Sequence, residues 1–285
     1  MTHTMHKTIN PVVFWLLVTV LTSNMLWSLP ATGAPSAHLW SLWQAHSQES
    51  IQVVDHLQWD LLLKKYLVTA HPSGINRFRY ADVTLDDKKT LNTYLQQLQK
   101  VEVSLLNKDE QKAYWVNLYN SLTVKVILDH YPVKSIMDID ISPGLFSNGP
   151  WDAKLLQIEE EEISLNDIEH RILRPIFKDN RLHYALNCAS LGCPNLQSVA
   201  FTANNTEKLL ETSSKEYINS PRGAQFIKNK LQVSSIYKWF QADFGGSEKG
   251  VINHLQQYAT DNLADTLKTY KKGLRFDYDW GLNQL

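Results

Sequence analysis

Residues 181–196 hold the chain's only two cysteines, Cys188 and Cys193, together with His183, Asn187, Ser190 and Gly192. Read as a strand, 182–187 points Leu182, Tyr184 and Leu186 to one side and His183, Ala185 and Asn187 to the other. Cys188 then falls where the strand runs into a small-residue loop containing Ala189, Ser190 and Gly192. Such a loop lets backbone N–H groups approach an oxyanion. A thiol at a strand end, with imidazoles upstream, has the parts of an activated nucleophile. The same spacing also serves other chemistry. Four residues between two cysteines in a Gly-containing loop can close a disulfide, structural or redox, and two buried free thiols are a further option. Zinc is disfavoured: Cys188, Cys193, His183 and His170 could supply four ligands, but paired C-x2-C spacing is absent. Neither a metal nor a cofactor is expected.

Several elements must position these residues. Leucine spacing predicts a helix over 54–67, and the stripe Leu91, Tyr94, Leu95, Leu98 and Val101 predicts another over 87–106. A third, over 108–131, is apolar on nearly every face and stops before Pro132, which marks it as a buried central helix. Short strands are expected at 154–158 and 162–164 around an acidic turn. A capping-box-like start at Ser164 and Asp167 then opens a helix closed by Pro175. Helices are expected over 205–219, 235–244 and 249–267. A hairpin is expected over 225–233 with Asn229 and Lys230 at its tip, and a half-buried strand over 274–279. Long helices early and short strands late indicate an α+β fold, a helical N-terminal layer on a small, mostly antiparallel sheet.

Composition narrows the class. There are 28 Lys+Arg against 29 Asp+Glu, a formal charge of −1, with 44% hydrophobic and 20% charged residues. This excludes a disordered chain and a polytopic membrane protein. The balance also lacks the cationic excess that nucleic-acid binding requires, so no nucleic-acid partner is expected. Residues 1–34 read as a secretory signal: an acid-free, weakly basic start, an apolar run over 11–21, then Ala31, Thr32, Gly33 and Ala34 as small exit residues. An uncleaved anchor is the alternative, and a membrane is involved only in that case. The expected location is periplasmic or extracellular, with 35–285 forming one domain. The four glutamates at 159–162 read as a solvated turn, since calcium loops alternate ligands and place Gly at the bend.

Four separated motifs then acquire a common meaning. The stretch 113–120 with Tyr114, Trp115, Asn117 and Asn120, the stretch 164–174 with His170, the stretch 182–190 with His183 and Cys188, and the terminal Tyr278–Trp280 resemble the domain-of-unknown-function family numbered 547. The resemblance runs from about Val54 to Asn283. It implies that Asn117, Asn120, His170, His183, Asn187 and Cys188 share one site. It also implies that Cys188 does not exist for the sake of a disulfide, because members without a counterpart of Cys193 keep Cys188. Asn117 and Asn120, three residues apart, share a helix face, where they pin neighbouring loops or orient an imidazole or substrate. His170 sits beside Glu169 and one turn before Arg174. These charges read either as a solvated helix face or as part of the site. Either imidazole could serve as base to the thiol, with His170 slightly favoured.

The resulting expectation is an exported, thiol-dependent hydrolase or acyl transferase. Cys188 attacks an amide, ester or thioester of a peptide or acyl compound, and His170 or His183 takes the proton. Asn117, Asn120, Asn187 and Ser190 bind or orient. The His-before-Cys order suggests a permuted papain- or transglutaminase-like arrangement by analogy. The alternative is a non-catalytic periplasmic binding or scaffold module shaped by a Cys188–Cys193 disulfide.

Overall fold

The computed structural model describes Met1, residues 35–144 and residues 148–285. The export reading of 1–34 lies outside the described residues. Residues Ala34–Leu285 form one compact unit. No described helix is long and apolar enough to cross a membrane.

Three N-terminal helices build the first layer: α1 (Leu57–Tyr66), α2 (Leu85–Leu98) and α3 (Lys108–His130). Between α1 and α2, β1 (Leu67–Val68) pairs antiparallel with β2 (Arg77–Phe78). The Asn107 side chain caps α3 by accepting from the Glu110 N–H at 3.0 Å, the preferred use of Asn at a helix start. Because α3 is apolar on nearly every face, burial can only be achieved by surrounding it. Tyr114, Trp115, Val116, Leu118 and Ile127 all lie in the main core, where Trp115 meets Trp43 edge-on at 5.0 Å. Helix α2 is shorter than its apolar stripe, and the chain turns after Leu98 so that Val103 enters the core from a 3-10 turn at Val103–Leu105.

Next, β3 (Leu156–Ile158) and β4 (Glu161–Ile163) form an antiparallel pair. Its two-residue tip, Glu159 and Glu160, has φ of 45° and 70°. Asp167 accepts from the Ser164 N–H at 2.8 Å while its own N–H donates to Ser164 Oγ at 3.1 Å. That reciprocal cap starts the helix, but Pro175 does not end it. The chain runs as a π-helix over Asp167–Leu173 and continues as α4 (Arg174–Phe177). The Arg174 N–H bonds to Glu169 O, five residues back, and Pro175 has no N–H to give. His170 O therefore accepts from the N–H of His38, and Arg171 O accepts from that of Trp40, both at 2.9 Å. The wider helical turn thus tolerates the proline, and the N-terminal segment satisfies its carbonyls.

The rest of the chain folds around a second apolar cluster. Helix α5 (Thr206–Ile218) leads to β5 (Ala224–Ile227) and β6 (Lys230–Ser234). Strand β6 pairs antiparallel with β5 and parallel with β7 (Arg275–Asp277). The α+β class holds, although the strands divide among three small sheets. The expected helix over 235–244 breaks at Phe240 into α6 (Ile236–Trp239) and a 3-10 turn, Gln241–Phe244. The expected helix over 249–267 is two, α7 (Glu248–Tyr258) and α8 (Asp261–Thr269). The side chain of Asn219 forces that break by donating to Tyr258 O and accepting from the Thr260 N–H.

Candidate functional site

The stretch expected as a strand over 182–187 is a 3-10 helix, Asn180–Tyr184, running into a loop. Asp179 decides this: its carboxylate accepts from the Arg181 N–H and its carbonyl from the Leu182 N–H, a local closure that competes with extended backbone. Leu182 enters the main core and Tyr184 the second one, so His183 sits where the two cores meet.

There it joins a buried charge cluster. His183 Nε2 lies 2.8 Å from Asp243 Oδ2, and the same oxygen accepts from Arg174 Nε at 2.6 Å. Arg174 Nη1 donates to His170 Nδ1 at 3.0 Å and to Pro35 O at 2.9 Å. Glu169 Oε1 stands 3.9 Å from His170 Nδ1 and 3.8 Å from His183 Nδ1. The Phe240 ring stacks on His183 at 4.3 Å and underlies the Arg174 guanidinium at 4.7 Å. Glu169, His170, Arg174 and His183 are all less than a tenth exposed, which corrects the view of Glu169 and Arg174 as a solvated face.

Charge states follow from these contacts. Arg174 only donates, so His170 Nδ1 must accept, and a neutral His170 carries its proton on Nε2. Burial lowers the His170 pKa below its ordinary value; Glu169 opposes this, and the Arg174 cation adds to it. Burial alone would raise Asp243, but hydrogen bonds from His183 and Arg174 hold it well below the usual carboxylate range. Tyr119, on α3, faces Glu169, and its hydroxyl is pushed far up by burial and by that carboxylate.

The sulfur atoms form a second group. Cys188 and Cys193 are joined in a disulfide, with Cys188 half-buried and Cys193 3% exposed. The Cys188 Sγ has Ser190 Oγ and the Tyr278 hydroxyl each at 3.1 Å. The Tyr278 hydroxyl also reaches Cys193 Sγ at 3.2 Å, and the Cys188 N–H donates to Cys193 Sγ at 2.9 Å. Among the described residues, no hydrogen bond joins either imidazole to Cys188.

The other expected site residues hold backbone. Asn117 donates to Phe201 O at 2.7 Å and accepts from the Phe201 N–H at 2.9 Å. Asn120 donates to Ala185 O and accepts from the Asn187 N–H. Asn187 donates to Pro194 O and accepts from the Ala189 N–H, which helps keep Ala189 at a φ of 60°. The 188–193 loop is gripped from outside as well. Leu191 and Gly192 donate their N–H groups to Gly281 O and Asp279 O, and the Asn283 N–H donates to Ala189 O. Arg222 donates to the carbonyls of Leu191 and Cys193, and the Tyr217 hydroxyl to that of Gly192. A Cβ on Gly192 would meet Asp279 N and Tyr278 Cδ2 at 2.9 Å, so only glycine fits under the C-terminal segment. A cleft of about 200 Å³ opens beside it, lined by Arg222, Gln232, Asp277 and Tyr278 among others.

Sequence reasoning missed Asp243, Arg222 and the role of Tyr278, all brought in by long-range folding. Arg174 did carry a signal, since positions 170 and 174 lie on one helix face, and Glu169 stood out only as the neighbour of His170. No group of three or more metal-ligating side chains occurs among the described residues.

Comparison with known proteins gives one match. Residues 103–218 fit the model of a family described as a protein of unknown function, DUF547, a narrower span than the motif resemblance covers. No curated protein and no solved structure is similar to the chain. The matched span contains Asn117, Asn120, Glu169, His170, Arg174, His183 and both cysteines, whereas Asp243 and Tyr278 lie beyond it; residues 103–218 of this chain are similar to that family.

Proposed function

We propose that the protein is an exported thiol-dependent hydrolase or acyl transferase acting on amide, ester or thioester bonds. The observation carrying this reading is the placement of the Ser190 and Tyr278 hydroxyls, each 3.1 Å from Cys188 Sγ. With the disulfide open, the Ser190 hydroxyl, and the one Tyr278 proton when it turns from Cys193 to Cys188, favour the Cys188 thiolate, the nucleophilic form. Once a reductant has opened the disulfide, Cys188 attacks the acyl carbon and the same hydroxyls are the donors available to the oxyanion. The leaving group departs with a proton, and water or an acceptor then cleaves the thioester.

Of the two imidazoles, His183 is the better base. Asp243 holds its Nε2, the orienting role a third group plays in a nucleophile–base pair, and leaves Nδ1 toward Glu169. The Nδ1 lone pair of His170 is already engaged by Arg174. Asn117 and Asn120 act in this reading by holding the loop. Export is supported by the composition of 1–34 and by a disulfide, which persists in oxidising compartments.

A second reading, a binding or scaffold module, is favoured by the disulfide itself. One experiment separates them. Native protein is treated with a mild thiol reductant at pH 7, exposed to iodoacetamide, and assayed on a chromogenic ester. The enzymatic reading expects rapid alkylation at Cys188 and ester hydrolysis lost in Cys188→Ala. A reduced, folded protein that neither alkylates at Cys188 nor cleaves the ester establishes the module.

A further inference from the structure

We infer that the Cys188–Cys193 disulfide is a reversible lock on the site, opened by a dithiol partner that attacks Cys188 and expels Cys193. This rests on the reading of Cys188 as a working thiol and adds how its availability is governed.

Three observations converge. The two cysteines are unequally buried: Cys188 is half-buried, whereas Cys193 is 3% exposed, so Cys188 is the more accessible of the two to an external thiolate. They are unequal in what receives them. Cys193 Sγ accepts the Cys188 N–H at 2.9 Å and the Tyr278 hydroxyl at 3.2 Å, two donors placed where a departing thiolate develops charge. In exchange, a better-stabilised leaving thiolate departs faster. Finally, the loop does not need the bond to keep its shape. The carbonyls of Leu191, Gly192 and Cys193 are held by Arg222 and Tyr217, and the N–H groups of Leu191 and Gly192 by the 279–281 segment. Asn187 pins the start of the loop through the Ala189 N–H.

The steps balance. A partner thiolate attacks Cys188 Sγ, forming a mixed disulfide and breaking the Cys188–Cys193 bond, and Cys193 leaves as thiolate. The partner's second thiol then attacks its own sulfur in the mixed disulfide. The partner becomes oxidised by two electrons, and Cys188 and Cys193 take up the protons as thiols. In the reverse direction Cys193 is the resolving cysteine that removes an adduct from Cys188.

The test uses the purified, oxidised full chain without denaturant. It is incubated with glutathione or dithiothreitol, quenched with N-ethylmaleimide, and mapped by peptide mass spectrometry. The lock predicts opening by dithiothreitol in the native state, with glutathione adducts on Cys188 at least tenfold above those on Cys193. It also predicts that the reduced chain keeps its near-ultraviolet circular dichroism and that Tyr278→Phe slows opening several-fold. Adducts mainly on Cys193, opening only in urea, or unfolding on reduction overturns it. Should Tyr278→Phe fail to fold, the wild-type adduct map decides. The two proposals fail separately: native opening without ester cleavage removes the enzyme and leaves the exchange. Ester cleavage by Cys193→Ser alongside a wild-type disulfide that resists native reduction removes the lock alone.

Discussion

A few side chains hold the site together by serving two backbone groups at once. Asn120 is the plainest case, bonding Ala185 O and the Asn187 N–H across the start of the cysteine loop while 2% exposed. Replacing it with alanine strands a buried acceptor and a buried donor, each costing roughly 1–3 kcal/mol. Asn120→Ala should therefore lose about 2–4 kcal/mol in urea denaturation. An effect below about 0.5 kcal/mol would mean the amide does not pin the loop. The need for partners for Asn117 and Asn120 was legible from their place in an apolar helix. Which partners they take was not, because Phe201 and Ala185 lie far along the chain.

Among the elements, the decisive ones are those that depart from regular geometry. The π-helix over Asp167–Leu173 turns Glu169 and His170 inward together with Arg174, and the break at Phe240 aims Asp243 at His183. The C-terminal segment plays a similar part by lying across Gly192. Gly192→Ala places a methyl carbon 2.9 Å from both Asp279 N and Tyr278 Cδ2, so loop and segment must separate. The expected cost is about 1–3 kcal/mol in thermal or urea melts. The loop should also become more open, with faster reaction of its disulfide with dithiothreitol than in the wild type. An unchanged melting midpoint would show that Tyr278 is not held against the loop. Regular elements such as α3 and the β3–β4 pair were legible from local signals, an unbroken apolar run ending at Pro132 and two short strands around an acidic turn. The 3-10 turn over Asn180–Tyr184 was not: its alternating pattern fits a strand until Asp179 supplies a local hydrogen bond.

For the molecule as a whole, buried histidines couple stability to pH. His56 and His254 have pKa values lowered to about 4, chiefly by burial, and burial lowers His170 as well. The folded chain keeps them neutral while the unfolded chain protonates them near their ordinary value of 6.5. Protons therefore favour unfolding between pH 6.5 and 4, and stability falls as pH drops through that window. At pH 5, His56 and His254 together account for a loss of roughly 4 kcal/mol relative to pH 7.5. Below pH 4, protonation of Asp243, whose pKa lies lower still, removes further stability. Urea melts at pH 7.5 and pH 5 test this directly, and equal stability at the two values would refute it.

By itself the sequence determined the α+β class, the buried central helix, the capped start at Ser164 and the unusual chemistry of residues 181–196. Each of these rests on local spacing, and local spacing is written in neighbouring residues. Only the tertiary structure decided which groups meet. The structure joined Cys188 to Cys193, set Tyr278 over both sulfurs, paired His183 with Asp243 across 60 residues, and buried Glu169 and Arg174. The His183 cluster forms where two separate apolar cores meet at Leu182 and Tyr184. Burial there makes a charge or hydrogen bond obligatory without specifying its distant partner in any local pattern.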